Sequence, residues 1–206
     1  MTSAEIAALA ASYFLGAIPT SYLAGRVFKG IDLREHGSKN LGATNVYRIM
    51  GWRFAIPVGI FDVAKGAVPV LLLGPAVSTL PWFPLVCGVL AVVGHVFSVF
   101  VGFKGGKGVA TSAGVVLGLA PMAVAICLGV WAAVVWASGY VSLGSVIATA
   151  LFPGLVWLLY PGRRGSIWLY LLLAVVIIWM HRANLRRLAD GTENRFGRRA
   201  KGGDDR

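Results

Sequence analysis

Charge is scarce in this sequence. Asp, Glu, Lys and Arg together make up 13% of it, where a soluble domain carries about 25%. Hydrophobic residues make up 57%, and the mean hydropathy is +0.76. A water-exposed globule of this size has no means of covering so much apolar surface, so lipid is the expected solvent. Cysteine is equally sparse. Cys87 and Cys127 are the two present, each inside an apolar run, which argues against a disulfide framework or a thiolate metal site. No group of His, Cys, Asp and Glu has metal-ligand spacing, so neither metal nor cofactor is expected. The N-terminal apolar run lacks a basic flank and carries Glu5, so it reads as a retained span and not a cleaved signal peptide.

What is abundant is apolar sequence in blocks. About 20 apolar residues cross a 30 Å hydrocarbon core, and seven helical spans are predicted: Ile6–Val27, Phe54–Val77, Phe83–Val101, Val109–Ala120, Met122–Ala137, Val146–Tyr160 and Ile167–Met180. The fold class is therefore an all-α bundle of about seven transmembrane helices. Residues 1–193 form a single polytopic domain, and residues 194–206 a basic tail expected to be disordered. Glycine is plentiful, at 27 residues, and Gly114 with Gly118 makes a small-xxx-small pair suited to close helix packing.

Basic residues fall on one set of connections. Arg26, Lys29, Arg34, Lys39, Arg48 and Arg53 lie in the first loop, Lys104 and Lys107 in the second, and Arg182, Arg186, Arg187, Arg195, Arg198, Arg199, Lys201 and Arg206 after the last span. The alternate connections hold only Arg163 and Arg164. The positive-inside rule then puts the N-terminus outside and the C-terminus in the cytoplasm of a bacterial inner membrane. The tail's one aromatic is Phe196, and no folded module surrounds it. Anionic lipid is accordingly the expected partner, and nucleic acid is not.

Polar chemistry concentrates in the cytoplasmic segments. The first, Gly37 to Arg48, offers Ser38, Asn40, Gly42, Thr44 and Asn45 as small donors at a helix start, then Arg48 as a planar fork for phosphate. A polar loop carrying helix caps would have the same composition. The second, Gly102 to Thr111, resembles a P-loop, but Gly108 stands where Ser or Thr would hold magnesium, and no strand precedes it. What survives is a glycine-rich phosphate cradle, with Lys104, Gly105, Gly106, Lys107 and Thr111, or simply a positive anchor. The third, Ser138 to Ser145, is uncharged, so Ser142 and Ser145 are candidates for chemistry and not for topology. In the fourth, His181, Asn184 and Arg187 share a helix face at intervals of three. Within the second span, Asp62 and Lys65 are spaced to pair, as charges in lipid must.

Taken together, Ser38–Arg48, Lys104–Thr111, Gly139–Ser145, and His181–Leu188 with Gly191-Thr192-Glu193 resemble the successive motifs of the bacterial acyl-phosphate:glycerol-3-phosphate acyltransferases, the PlsY family. Leu41, and Ser98 after Phe97, stand where that family often has proline. The resemblance implies transfer of a fatty acyl group from acyl phosphate to the 1-hydroxyl of glycerol-3-phosphate. It implies further that Ser38, Asn40, Gly42, Thr44 and Asn45 hold acyl phosphate. Arg48 with Lys104 or Lys107 would grip glycerol-3-phosphate, while Ser142, Ser145, His181 and Asn184 position hydroxyl and carbonyl. Membrane lipid, and a functional link to an enzyme that makes acyl phosphate, are the implied partners. The competing reading is an anion transporter; it expects matched broken helices at midplane, and the sequence shows no convincing internal repeat.

Overall fold

The computed structural model describes residues 1–196. The tail beyond, with Arg198, Arg199, Lys201 and Arg206, lies outside the described residues. Among those described, all regular structure is helical: α1 Ser3–Ala17, α2 Thr20–Lys29, α3 Ala43–Met50, α4 Trp52–Val77, α5 Phe83–Val96, α6 Val109–Leu117, α7 Pro121–Ser138, α8 Val141–Leu159, α9 Ile167–Met180 and α10 Arg182–Ala189.

Five helices are long and apolar enough to cross a membrane, or six if the bent pair α1 and α2 counts as one span. The sequence predicts seven, and the difference lies in two places. The first predicted span is broken by 40° between Ala17 and Thr20, because Pro19 has no N–H to continue the ladder. The fourth is a nine-residue helix, α6. At 1.5 Å per residue it reaches about 13 Å, well short of the hydrocarbon thickness. Gly118 and the turn before Pro121 end it.

The chain divides into two compact units, Met1–Pro121 and Met122–Arg206. In the first, helices pair through glycine. A Cβ on Gly16 would collide with the Ala91 carbonyl, and one on Gly94 with the Tyr13 carbonyl, so α1 and α5 touch backbone to backbone. Likewise Gly114 faces the backbone at Val63 and Ala67, and Gly118 meets Leu71, which sets α6 against α4 as the small-residue spacing predicts. The helix break leaves the Ala17 and Ile18 carbonyls without helical partners. Ser98 Oγ donates to Ala17 O, and Lys65 Nζ to Ile18 O at 2.9 Å. Sequence reading gives Ser98 no role; here it closes an open helix end.

The first loop is seated on its own apolar floor, where Leu33, Leu41, Val46, Met50, Val58 and Val101 form one buried cluster with Ala24. In the second unit α7 and α8 run antiparallel. Met122 N–H donates to Tyr160 Oη at one end (2.9 Å), and Cys127 Sγ to Ala148 O at 3.3 Å along the pair. Phe152 of α8 meets Tyr170 of α9 edge to face, ring centres 5.8 Å apart.

Candidate active site

In the first unit, the loops after α2 and after α5 meet at one end of the helices. Asn45 organises the first loop. It is 1% exposed, its Nδ2 donates to Leu33 O (3.2 Å) and His36 O (3.1 Å), and its Oδ1 accepts from Ser38 N–H at 2.8 Å. A side chain so engaged shapes the loop, a task beyond the expectation that Asn45 holds acyl phosphate. Ser38, Asn40 and Thr44 are half-buried at the loop surface, and Gly42 caps α3 with no side-chain bond to the first-turn amides. Arg48 follows one turn later, half-buried. Lys39 adopts φ +57°, a left-handed conformation uncommon for a residue with a Cβ.

Asp32 braces the same loop from below. It pairs with Arg34 at 2.7 Å and Arg26 at 3.1 Å, and Arg34 also donates to Val101 O at 3.2 Å. The Arg34 hydrogen bonds hold its carboxyl at about 2, against the opposing effect of burial. Both guanidiniums lie over the Tyr22 ring. Arg26 and Arg34 are therefore structural cations.

The second loop differs from a free glycine cradle. The amides of Gly105 and Gly106 donate to Val96 O (3.0 Å) and His95 O (3.1 Å) at the end of α5. These two N–H groups anchor the loop and are not available to phosphate. Gly106 is pressed between the His95 ring and the Leu41 carbonyl, where a Cβ has no room. The anion-binding capacity of the segment rests instead on Lys104, exposed, on half-buried Lys107, and on the first-turn amides of α6. That helix is capped by Gly108 without a side-chain bond, so its N-terminus keeps its donors and favourable dipole. Thr111 is fully buried, its main chain packed against Gly66 of α4.

In the second unit, a different set converges on a carboxylate. Glu193 Oε1 accepts from Ser142 Oγ (2.8 Å) and Asn184 Nδ2 (2.6 Å), and its Oε2 from Arg187 Nε (2.7 Å). Burial pushes the Glu193 carboxyl up, but the bonds from Asn184, Ser142 and Arg187 outweigh it and hold it below the usual glutamate range. His181 is 2% exposed. Its Nδ1 lies 2.8 Å from Ile177 O, an acceptor only, so Nδ1 carries the proton and Nε2 of the neutral ring is the basic nitrogen. Ser145 Oγ donates to Val141 O within its own helix. Arg195 stacks on Tyr140 and donates to its hydroxyl at 3.1 Å, tying the segment after α10 to the start of α8.

The predicted set is thus brought together unit by unit: the first and second segments in one, the third and fourth in the other. Glu193 is the carboxylate on which three of these side chains converge, and the sequence pattern alone does not single it out. Its signal is its place in the Gly191-Thr192-Glu193 element after the histidine helix, where it reads as a loop residue until Ser142 is folded beside it.

Known proteins resemble this chain in sequence and fold. The sequence model of the family described as glycerol-3-phosphate acyltransferase matches residues 6–191. A glycerol-3-phosphate acyltransferase of Geobacter sulfurreducens is 44% identical over 192 residues, covering 93% of this chain and 97% of that protein. One from Chlorobaculum parvum is 40% identical over 229 residues, covering 95% and 98%. The crystal structure of PlsY (YgiH), an integral membrane glycerol 3-phosphate acyltransferase, matches in its glycerol 3-phosphate form with a TM-score of 0.87 at 36% identity, over 94% of this chain and 96% of that one. The lysophosphatidic acid form of the same protein matches with a TM-score of 0.83 at 35% identity. With matching of this extent in both sequence and helical framework, this integral membrane chain belongs to the glycerol-3-phosphate acyltransferase family.

Proposed function

We propose that this chain transfers an acyl group from acyl phosphate to the 1-hydroxyl of glycerol-3-phosphate, giving lysophosphatidic acid and inorganic phosphate. The observation that carries the reading is the likeness, over 94% of the chain, to a structure solved with glycerol 3-phosphate. The hydroxyl oxygen attacks the acyl carbon, the carbon–oxygen bond to the phosphate breaks, and phosphate leaves with that electron pair. The hydroxyl proton passes to His181 Nε2 or to a phosphate oxygen of the donor.

In this reading Arg48, Lys104 and Lys107 hold the phosphate of glycerol-3-phosphate, the arginine through its planar fork. Ser38, Asn40, Thr44 and the amides at the start of α3 hold the acyl phosphate. Glu193 fixes Ser142 and Asn184 through hydrogen bonds, while its depressed proton affinity makes it a poor base toward the Ser142 hydroxyl. That favours direct transfer over an acyl-serine. Phosphate is already a good leaving group, so positioning supplies much of the rate; effective molarity alone contributes ~7–11 kcal/mol. The site works at the cytoplasmic face of the bacterial inner membrane, where the basic loops are held by the positive-inside rule.

The test is an assay of the purified protein in lipid with acyl phosphate, acyl-CoA and acyl carrier protein offered separately. Lysophosphatidic acid should form from acyl phosphate alone. Formation from acyl-CoA at an equal rate would overturn the donor assignment. His181→Gln separates the two proton acceptors. Turnover that persists assigns the proton to the donor's phosphate, whereas its loss assigns it to Nε2.

A further inference from the structure

We propose that the buried triad Asp62, Lys65 and His95 is a positioning device that fixes the second glycine loop for glycerol-3-phosphate binding. This rests on reading Lys104–Thr111 as part of the glycerol-3-phosphate site.

Asp62 and Lys65 sit one turn apart on α4, 2.7 Å from carboxylate to ammonium, with side chains 2% and 1% exposed. Charges so deep in an apolar helix are costly, and packing alone would be served as well by apolar residues of similar volume. What an ion pair supplies is direction. Lys65 Nζ also donates to Ile18 O at 2.9 Å, a carbonyl that the Pro19 break takes out of the helical ladder and that accepts Thr20 N–H at 3.1 Å. Thr20 Oγ1, just past that break, donates to Asp62 Oδ1. On the other side, His95 Nδ1 lies 3.7 Å from the same carboxylate oxygen. One carboxylate therefore ties the start of α2 to α4, with the His95 ring at the end of α5 packed beside it.

The end of α5 is the seat of the second loop. His95 O and Val96 O receive the amides of Gly106 and Gly105, and Gly106 is wedged between the His95 ring and Leu41 O of the first loop. A tilt of the imidazole shifts Gly106, and with it Lys104, Lys107 and the start of α6. The cavity among Thr20, Lys65, His95 and Gly106 is only water-sized, too small for a phosphate. The triad therefore acts on substrate through the loop and not by contact.

The test uses the full chain purified in detergent, with melting temperature, direct glycerol-3-phosphate binding by calorimetry, and kinetics measured on each variant. Asp62→Leu with Lys65→Met removes both charges together and leaves neither uncompensated. His95→Gln keeps the main-chain acceptor and removes the ring. Both should stay folded and raise the KM for glycerol-3-phosphate about ten- to a hundredfold, the size of effect that a misplacement of about 1 Å produces, with a smaller change in kcat. Thr20→Val should show a lesser shift of the same kind. A merely structural triad predicts a lower folded fraction with unchanged KM in what remains folded, and that result overturns the proposal. Should the double variant fail to fold, His95→Gln and Thr20→Val decide it by the same criterion. Lys104→Ala and Lys107→Ala separate the two levels. If they raise KM and the triad variants do not, the loop assignment stands and the triad proposal falls; if the lysine variants leave KM unchanged, the loop assignment itself falls.

Discussion

A guanidinium and an ammonium carry the same charge, but only the first presents a planar fork to phosphate. Arg48, half-buried at the end of α3, tests which property the first loop uses. Arg48→Lys should raise the KM for glycerol-3-phosphate roughly tenfold, the equivalent of about 1.4 kcal/mol. Arg164→Lys, on a residue stacked over Trp157 in the other unit, should leave it unchanged. Equal shifts would assign a bulk electrostatic role to both. A few residues along, Lys39 at φ +57° offers a stability test. A side chain in the left-handed region costs about 1–2 kcal/mol, and glycine's extra freedom when unfolded costs about 0.5–1 kcal/mol. Lys39→Gly should therefore raise the melting temperature, by at most about 1.5 kcal/mol of stability, and a lower melting temperature would show that the lysine side chain holds the loop. At this scale the sequence is a partial guide. The donor types in both loops can be read directly, but that Asn45, Gly105 and Gly106 spend their polar groups on the fold cannot. Hydrogen-bond partners distant in sequence decide that, as Leu33 does for Asn45.

A helix of eight residues, α10, has too few turns to be stable alone in water. Its docking in the second unit rests on Glu193, which takes Asn184 and Arg187 from α10 and Ser142 from α8. The folded carboxyl titrates below its ordinary value of about 4.3, so the fold favours its ionised form. The stabilisation is complete above that ordinary value and is lost as pH falls through the lower folded one. Glu193→Gln keeps an acceptor for Ser142 but loses the ion pair and turns an amide toward Arg187. It should cost about 1–3 kcal/mol and most of the activity. Melting curves between pH 6 and 3 check the cause: the wild type should lose stability more steeply than the variant, and parallel curves would remove Glu193 from the acid response. The spacing of His181, Asn184 and Arg187 already places them on one helix face. The acceptor that Asn184 and Arg187 share is out of the sequence's reach, because nothing local marks a carboxylate after Gly191 as the partner of a serine 51 positions earlier.

Hydropathy reports how apolar a segment is, not how far it reaches, and this limits what the whole chain discloses in advance. The five long spans lie close to where the apolar blocks put them, whereas α6 is short and the α1–α2 span bends at Pro19. The proposed sidedness is checked by reporter fusions. Those after Gly74 and at Gly162 should face outside, those at Lys104 and Arg195 the cytoplasm, an arrangement that requires the short α6 to complete a crossing with the bilayer thinned around it; an outside report at Lys104 would put the lysines on the wrong side for a cytoplasmic substrate. The same molecule-wide view governs the order of chemical events. Direct transfer needs both substrates present together, while an acyl-enzyme forms with acyl phosphate alone and kinetics turn ping-pong. Cys87 and Cys127 are buried, so Cys87→Ala with Cys127→Ala should leave turnover per folded enzyme intact. Ser142 is the one hydroxyl with a carboxylate in hydrogen-bond reach among the candidates, yet that carboxylate is held ionised by Asn184, Ser142 and Arg187, which weakens it as a base. Protein incubated with radiolabelled acyl phosphate, without glycerol-3-phosphate, should therefore carry no label after denaturation. Initial-rate lines with both substrates varied should intersect. Stoichiometric label on Ser142, with parallel lines, would replace direct transfer by a two-step route through that serine.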